Sequence, residues 1–167
     1  MNAKGIGVIV VAAVIAVVAV WLAVAKPWNS QAATTTAAMQ ISGTTLTGSQ
    51  FDLASDRGKL VVVNFFAEWC PPCNMEAPDL AKFAKAHPEV AFVGVDENDD
   101  LTKVQAFVRK YGLPYPIVYD PQGALGRRYN VQGIPTTFFL DANGVPRKTI
   151  VGATNLAGFE AALASIE

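Results

Sequence analysis

Residues 59–78 read KLVVVNFFAEWCPPCNMEAP, and both cysteines of the 167-residue chain, Cys70 and Cys73, lie inside this stretch. Lys59 to Phe66 is a continuous run rich in strand-forming residues, the pattern of a strand buried on both faces. Pro71 and Pro72 suit the first turn of a helix, where a missing N–H costs little. The helical pattern continues through residues 71–86 and stops at His87-Pro88. Strand, turn and helix therefore meet at the two thiols.

That junction has a chemical consequence. A helix N-terminus carries unsatisfied N–H groups and a partial positive charge, and both stabilise a thiolate. A cysteine there is expected to ionise below the free value of ~8.5 and to be nucleophilic at neutral pH. Cys70, nearer the helix end and the surface, is expected to attack a substrate disulfide. Cys73, one turn further in and more buried, is expected to resolve the mixed disulfide. Pro71 and Pro72 stiffen the turn that keeps the sulfurs close. Glu76 lies one turn beyond Cys73 on the same helical face and is the candidate acid/base group. Its alternative reading is an acid favoured by the helix dipole.

Two other uses of the pair compete with exchange. A C-x-x-C supplies two ligands where a closed zinc site needs four. The one histidine, His87, falls at a helix end, where a capping or surface role suffices. DENDD, Asp96 to Asp100, lacks the register and terminal Glu of a calcium loop and reads as a solvated loop. No metal and no cofactor are expected. An inert structural disulfide is the other use, but about 125 globular residues form a core without staples.

Outside this stretch the chain divides into parts. Ile6 to Ala25 holds 20 residues without a charge or proline. At 1.5 Å per residue a helix of that length spans about 30 Å, enough to cross a bilayer core. A single transmembrane anchor is expected at 6–25, after a cytoplasmic N-terminus at 1–5. A cleavable signal peptide is the competing reading, but its apolar core is usually shorter. Residues 26–40, polar and rich in Ala and Thr, read as a flexible linker with a typical reach of about 20 Å. Residues 41–167 form the globular domain. Residues 1–26 hold two of the 13 basic residues and none of the 14 acids, so the remainder is mildly acidic. With no run of Lys or Arg, nucleic-acid binding has no electrostatic footing.

Within the domain, residues 41–55 predict a hairpin or pair of short strands, and Val90 to Asp96 a second buried strand. Asp100 to Tyr111 predicts an amphipathic helix with Leu101, Val104, Phe107, Val108 and Tyr111 inward, ended by Gly112. A strand at 116–120, a helix at 122–129, two strands turning at Asp141–Gly144 and a helix at 154–166 complete the order. The expected class is α/β, a sandwich on a mixed sheet.

FFAEWCPPC after a buried strand, with GIPTTFF some sixty residues later, resembles the thioredoxin superfamily. More closely, residues 41–167 resemble the membrane-anchored, extracytoplasmic TlpA/ResA/DsbE-type thiol–disulfide oxidoreductases. WCPPC, Glu76, Pro78, the N-terminal β extension and a central insert at about 96–119 carry that likeness. The resemblance implies a thioredoxin-like three-layer sandwich and a redox-active Cys70–Cys73 disulfide. It implies that Pro135 is cis and faces the disulfide, and that the Ile134 backbone pairs with an extended substrate segment. Trp69 would form surface beside Cys70, with Pro71 and Pro72 next to it, and Pro78 would kink the helix. Asn64 departs from thioredoxin, where a buried Asp at this strand position assists proton transfer; that duty would pass to Glu76.

The resemblance implies exchange with protein disulfides or dithiols, apocytochrome c among them, and a membrane electron-transfer partner. Reduction of specific disulfides is the expected direction, in a single-pass protein of the bacterial cytoplasmic membrane with its domain outside. Oxidation of exported proteins is the alternative. A copper- or zinc-binding metallochaperone on the same fold is an alternative of another class, although such proteins carry C-x-x-x-C and a distant histidine. A peroxiredoxin would carry a P-x-x-x-T-x-x-C motif where this chain has VNFFAEWC.

Overall fold

The computed structural model describes residues 37–167 of the chain. The expected cytoplasmic N-terminus, the anchor at 6–25 and most of the linker fall outside the described residues. Among those described, no helix is long and apolar enough to cross a membrane.

A short antiparallel hairpin of β1 (Ser42–Thr44) and β2 (Gln50–Asp52) opens the fold, followed by a 3-10 turn at Leu53–Asp56. The main sheet contains β3 (Val61–Phe66), β4 (Ala91–Glu97), β5 (Ile117–Asp120), β6 (Thr136–Leu140) and β7 (Pro146–Val151). Its order is β5-β4-β3-β6-β7: β3, β4 and β5 run parallel, while β6 and β7 return antiparallel. The helices are α1 (Pro71–Ala86), α2 (Leu101–Tyr111), α3 (Ala124–Arg128) and α4 (Leu156–Ala164). The expected thioredoxin-like α/β fold with a mixed sheet is the observed architecture; the β1–β2 hairpin precedes it, and α2 and β5 occupy the region expected to be an insert.

Every residue of β3 is buried, as its unbroken apolar run requires of a central strand covered on both faces. On one face, α1 and α4 bring Leu80, Phe83, Phe159 and Leu163 onto Val62 and Phe139. At the end where β3 runs into α1, Cys70, Cys73, Val104 and Phe107 pack with Phe66. On the opposite face, Met39, Ile41 and Leu53 cover Val61, Val63, Phe65 and Val95, with Leu125 and Tyr129 beside them.

Two sequence expectations shift. Met39 is buried, its N–H donating to the Gly144 carbonyl, and Gln40 bonds Tyr129 Oη through both backbone groups. The packed domain therefore takes in the last residues assigned to the linker, because the open face over β3 needs Met39 as cover. Leu101 is exposed, since the packed face of α2 begins one turn later at Val104 and Phe107. The remaining α2 expectations hold, including Gly112 in the left-handed region at φ 62°, a conformation glycine adopts without steric cost.

Candidate active site

Cys70 is the N-cap of α1. Its Sγ accepts a hydrogen bond from the Cys73 N–H at 3.2 Å, so the sulfur takes up one of the free donors of the first turn. Cys70 and Cys73 are joined as a disulfide, with S–S 2.07 Å and Cα–Cα 5.3 Å. Three side chains hold the approach to this turn. Asn74 Nδ2 donates to the carbonyls of Glu68 (2.7 Å) and Cys70 (3.0 Å), and Tyr111 Oη on α2 donates to Asn74 Oδ1 at 2.8 Å. The Glu68 N–H donates to the carboxylate of Asp99 in the β4–α2 loop. The β4–α2 loop and α2 thus brace the redox turn from the side.

Sequence reasoning missed Asn74 and Asp99 as braces. The periodicity of α2 did place Tyr111 on the inner face, but its hydroxyl partner depended on a contact 37 residues away.

The peptide bond Ile134–Pro135 is cis, and the Ile134 carbonyl oxygen lies 3.6 Å from Cys70 Sγ. In the disulfide this is a contact; in the dithiol the same carbonyl can accept the Cys70 S–H. Among the described residues, neither the N–H nor the carbonyl of Ile134 has a backbone partner, whereas the Pro135 carbonyl accepts from Gly152. Trp69 is 57% exposed and Pro71 is also exposed; Pro72 and Ile134 are half-buried. Trp69 therefore forms surface, as the resemblance implied, and not core.

The expected difference in burial between the cysteines is not found. Cys70 is 2% and Cys73 1% exposed. Cys70 is turned inward onto the helix N–H group and beneath Ile134, so both sulfurs are covered in the closed disulfide. What distinguishes Cys70 is its capping position and its proximity to Ile134, not exposure.

Glu76 is buried in the second turn of α1. Its Oε1 accepts from Asn64 Nδ2 at 3.0 Å, and its Oε2 from the Thr154 N–H at 3.2 Å. Asn64 also donates to Thr137 Oγ1 at 2.9 Å, so the strand amide holds the carboxyl against the sheet. Burial pushes the Glu76 carboxyl up to about 7, against the opposing pull of the Thr154 and Asn64 hydrogen bonds. A carboxyl poised near neutrality can both take and give a proton there. His87 lies elsewhere: its ring nitrogens meet Glu89 at 3.0 Å and Glu160 at 2.9 Å.

The profile described as the AhpC/TSA family matches residues 34–148. The soluble secreted antigen MPT53 of Mycobacterium tuberculosis is 43% identical over 106 residues, 64% of this chain; the match spans 61% of that protein's length. The thiol-disulfide oxidoreductase ResA of Geobacillus kaustophilus is 34% identical over 126 residues, 74% of this chain and 72% of ResA. A crystal structure of a secreted Mycobacterium tuberculosis disulfide oxidoreductase homologous to Escherichia coli DsbE superposes with a TM-score of 0.71 at 37% identity. It covers 75% of this chain and 96% of that one.

Proposed function

Given that the chain belongs to the AhpC/TSA family, we propose that it is a thiol–disulfide oxidoreductase of the ResA/DsbE type that reduces specific protein disulfides outside the cytoplasm. The observation that carries this reading is a disulfide whose Cys70 sulfur caps α1, with a buried Glu76, poised near neutrality, one turn beyond Cys73.

The proposed cycle begins from the dithiol. The Cys70 thiolate, stabilised by the Cys73 N–H and the helix dipole, attacks one sulfur of the substrate disulfide. That S–S bond breaks as the Cys70–substrate bond forms, and the departing substrate thiolate takes up a proton. Cys73 then loses its proton toward Glu76 and attacks Cys70 Sγ. The Cys70–Cys73 bond forms, the second substrate sulfur leaves, and Glu76 returns the proton to it. The enzyme gives up two electrons to the substrate, which gains two protons, one from solvent at the first step and one from Cys73 by way of Glu76.

Because Cys70 is covered in the closed disulfide, substrate entry requires the Ile134 segment or Trp69 to give way. The free Ile134 backbone groups are suited to an extended substrate segment, with Pro135, Trp69, Pro71 and Pro72 as its walls. The substrate class is a protein disulfide, with the haem-binding cysteines of apocytochrome c as one member. A membrane electron-transfer partner would return the enzyme to the dithiol. Ile6–Ala25 is proposed as a single-pass anchor that keeps the domain at the outer face of the cytoplasmic membrane.

The test is a redox equilibrium of the full-length chain in detergent against glutathione. A potential well below that of the buffer supports the reductase. A potential well above it reverses the assignment to an oxidant of exported proteins; each 30 mV corresponds to about 1.4 kcal/mol for this couple.

A further inference from the structure

Asp96 is a fully buried acid for which the exchange cycle has no use. It sits near the end of β4 at 0% exposure, paired in register with Phe66 of β3 and Tyr119 of β5. Paired residues of neighbouring strands share a sheet face. Phe66 packs with Cys70 and Cys73, so Asp96 lies on the face that carries the redox turn.

Neither carboxyl oxygen of Asp96 meets an N–H or O–H group of a neighbouring residue. The group within hydrogen-bond reach is another carboxyl, that of Asp99. Two ionised carboxylates repel, and neither can donate; the pair bonds only when it holds a proton. Asp99 in turn accepts from the Glu68 N–H, two residues before Cys70, and its carbonyl accepts from Tyr119 Oη at 3.0 Å. The other charged groups that act on Asp96 are Asp120 at the end of β5 and Glu97 beside it in β4.

We propose that Asp96 is a positioning residue: it holds a proton shared with Asp99, and that proton keeps the Asp99 carboxyl on the Glu68 N–H, fixing the loop that carries Trp69 and Cys70. The functional consequence rests on the exchange reading above; the protonic pair does not. Burial, followed by the Asp99 carboxyl and the charges of Asp120 and Glu97, pushes Asp96 up to about 9. The pair therefore keeps its proton at neutral pH and releases it in mild alkali, where repulsion would pull Asp99 from Glu68.

The experiment uses the oxidised full-length chain, in which neither cysteine titrates. The Glu68 amide resonance is followed by NMR between about pH 6 and 10, a range that holds the pair's release and lies above that of ordinary carboxylates. A step near pH 9 is expected in the wild type and is expected to vanish in Asp96→Asn, whose amide donates at every pH. In Asp99→Asn the neighbouring charge is gone and a donor faces Asp96, so the step should fall by about one pH unit or more. The absence of a wild-type step above pH 8 overturns the proposal, as does a step that persists in Asp96→Asn or stays in place in Asp99→Asn. Asp99→Asn decides the matter if Asp96→Asn does not fold. Asp96→Val, which cannot hydrogen-bond, should lower exchange with a peptide disulfide at pH 7 by about fivefold, and an unchanged rate removes the role in exchange. Should the wild type itself fail to exchange while the amide step behaves as expected, the function reading falls and the carboxyl pair stands.

Discussion

At the residue scale, the order of the two thiols follows from position and not from exposure. Cys70 accepts the helix N–H and lies beside Ile134; Cys73 is inside the first turn. Cys70→Ser is expected to abolish exchange, and Cys73→Ser to accumulate mixed disulfides through Cys70. Mass spectrometry of trapped adducts checks this, and adducts through Cys73 in the Cys70→Ser variant instead would invert the order. Glu76 gives a second prediction, and its sign follows from linkage. Its folded-state value is raised from 4.5 to about 7, so the native state holds the proton more tightly than the unfolded chain. The stability this contributes is complete below about pH 4.5 and is lost as pH rises through about 7. Urea unfolding should show Glu76→Gln gaining roughly 3 kcal/mol relative to wild type between pH 4 and pH 8. A constant difference across that range would mean that Glu76 titrates alike in the folded and unfolded chains.

At the element scale, α2 is the brace of the site, and its ends are built for the purpose. Asp100 caps its N-terminus by accepting from the Thr102 N–H at 2.9 Å, Gly112 closes it in the left-handed region, and Tyr111 in its last turn holds Asn74. Asp100→Ala should cost about 1 kcal/mol, read from urea midpoints, with faster amide exchange at Thr102 and Lys103. An unchanged midpoint would show that packing of Val104 and Phe107 alone fixes the helix. Most of these elements were legible from local patterns. The span of α1, 71–86, followed from two prolines at its start and His87-Pro88 at its end, because caps and breakers act within a few residues. Leu101 was misplaced because helical periodicity gives a face but not the turn at which a neighbour begins to cover it.

At the scale of the whole molecule, a sheet with parallel β3, β4 and β5 brings the ends of β3 and β4 together at one edge of the fold. That arrangement gathers the redox turn, the β4–α2 loop and the cis Ile134–Pro135 segment from positions far apart in the chain. In the proposed reading, residues 6–25 anchor this apparatus at the membrane. The full-length protein, produced in a bacterium, should stay in the membrane pellet after an alkaline carbonate wash. Deletion of residues 1–25 should release it; full-length protein in the wash supernatant would remove the anchor.

The amino-acid sequence by itself determined the order of strands and helices, the meeting of C-x-x-C with a helix start, and Glu76 one turn further on. Each is set by spacing and by the φ/ψ preferences of neighbouring residues. Only the tertiary structure decided that both sulfurs are covered, that Asn64 and Thr154 grip Glu76, and that Asp96 faces Asp99 without a donor. Burial and long-range hydrogen bonds depend on which distant segments share a face, and that information lies in packing, not in spacing.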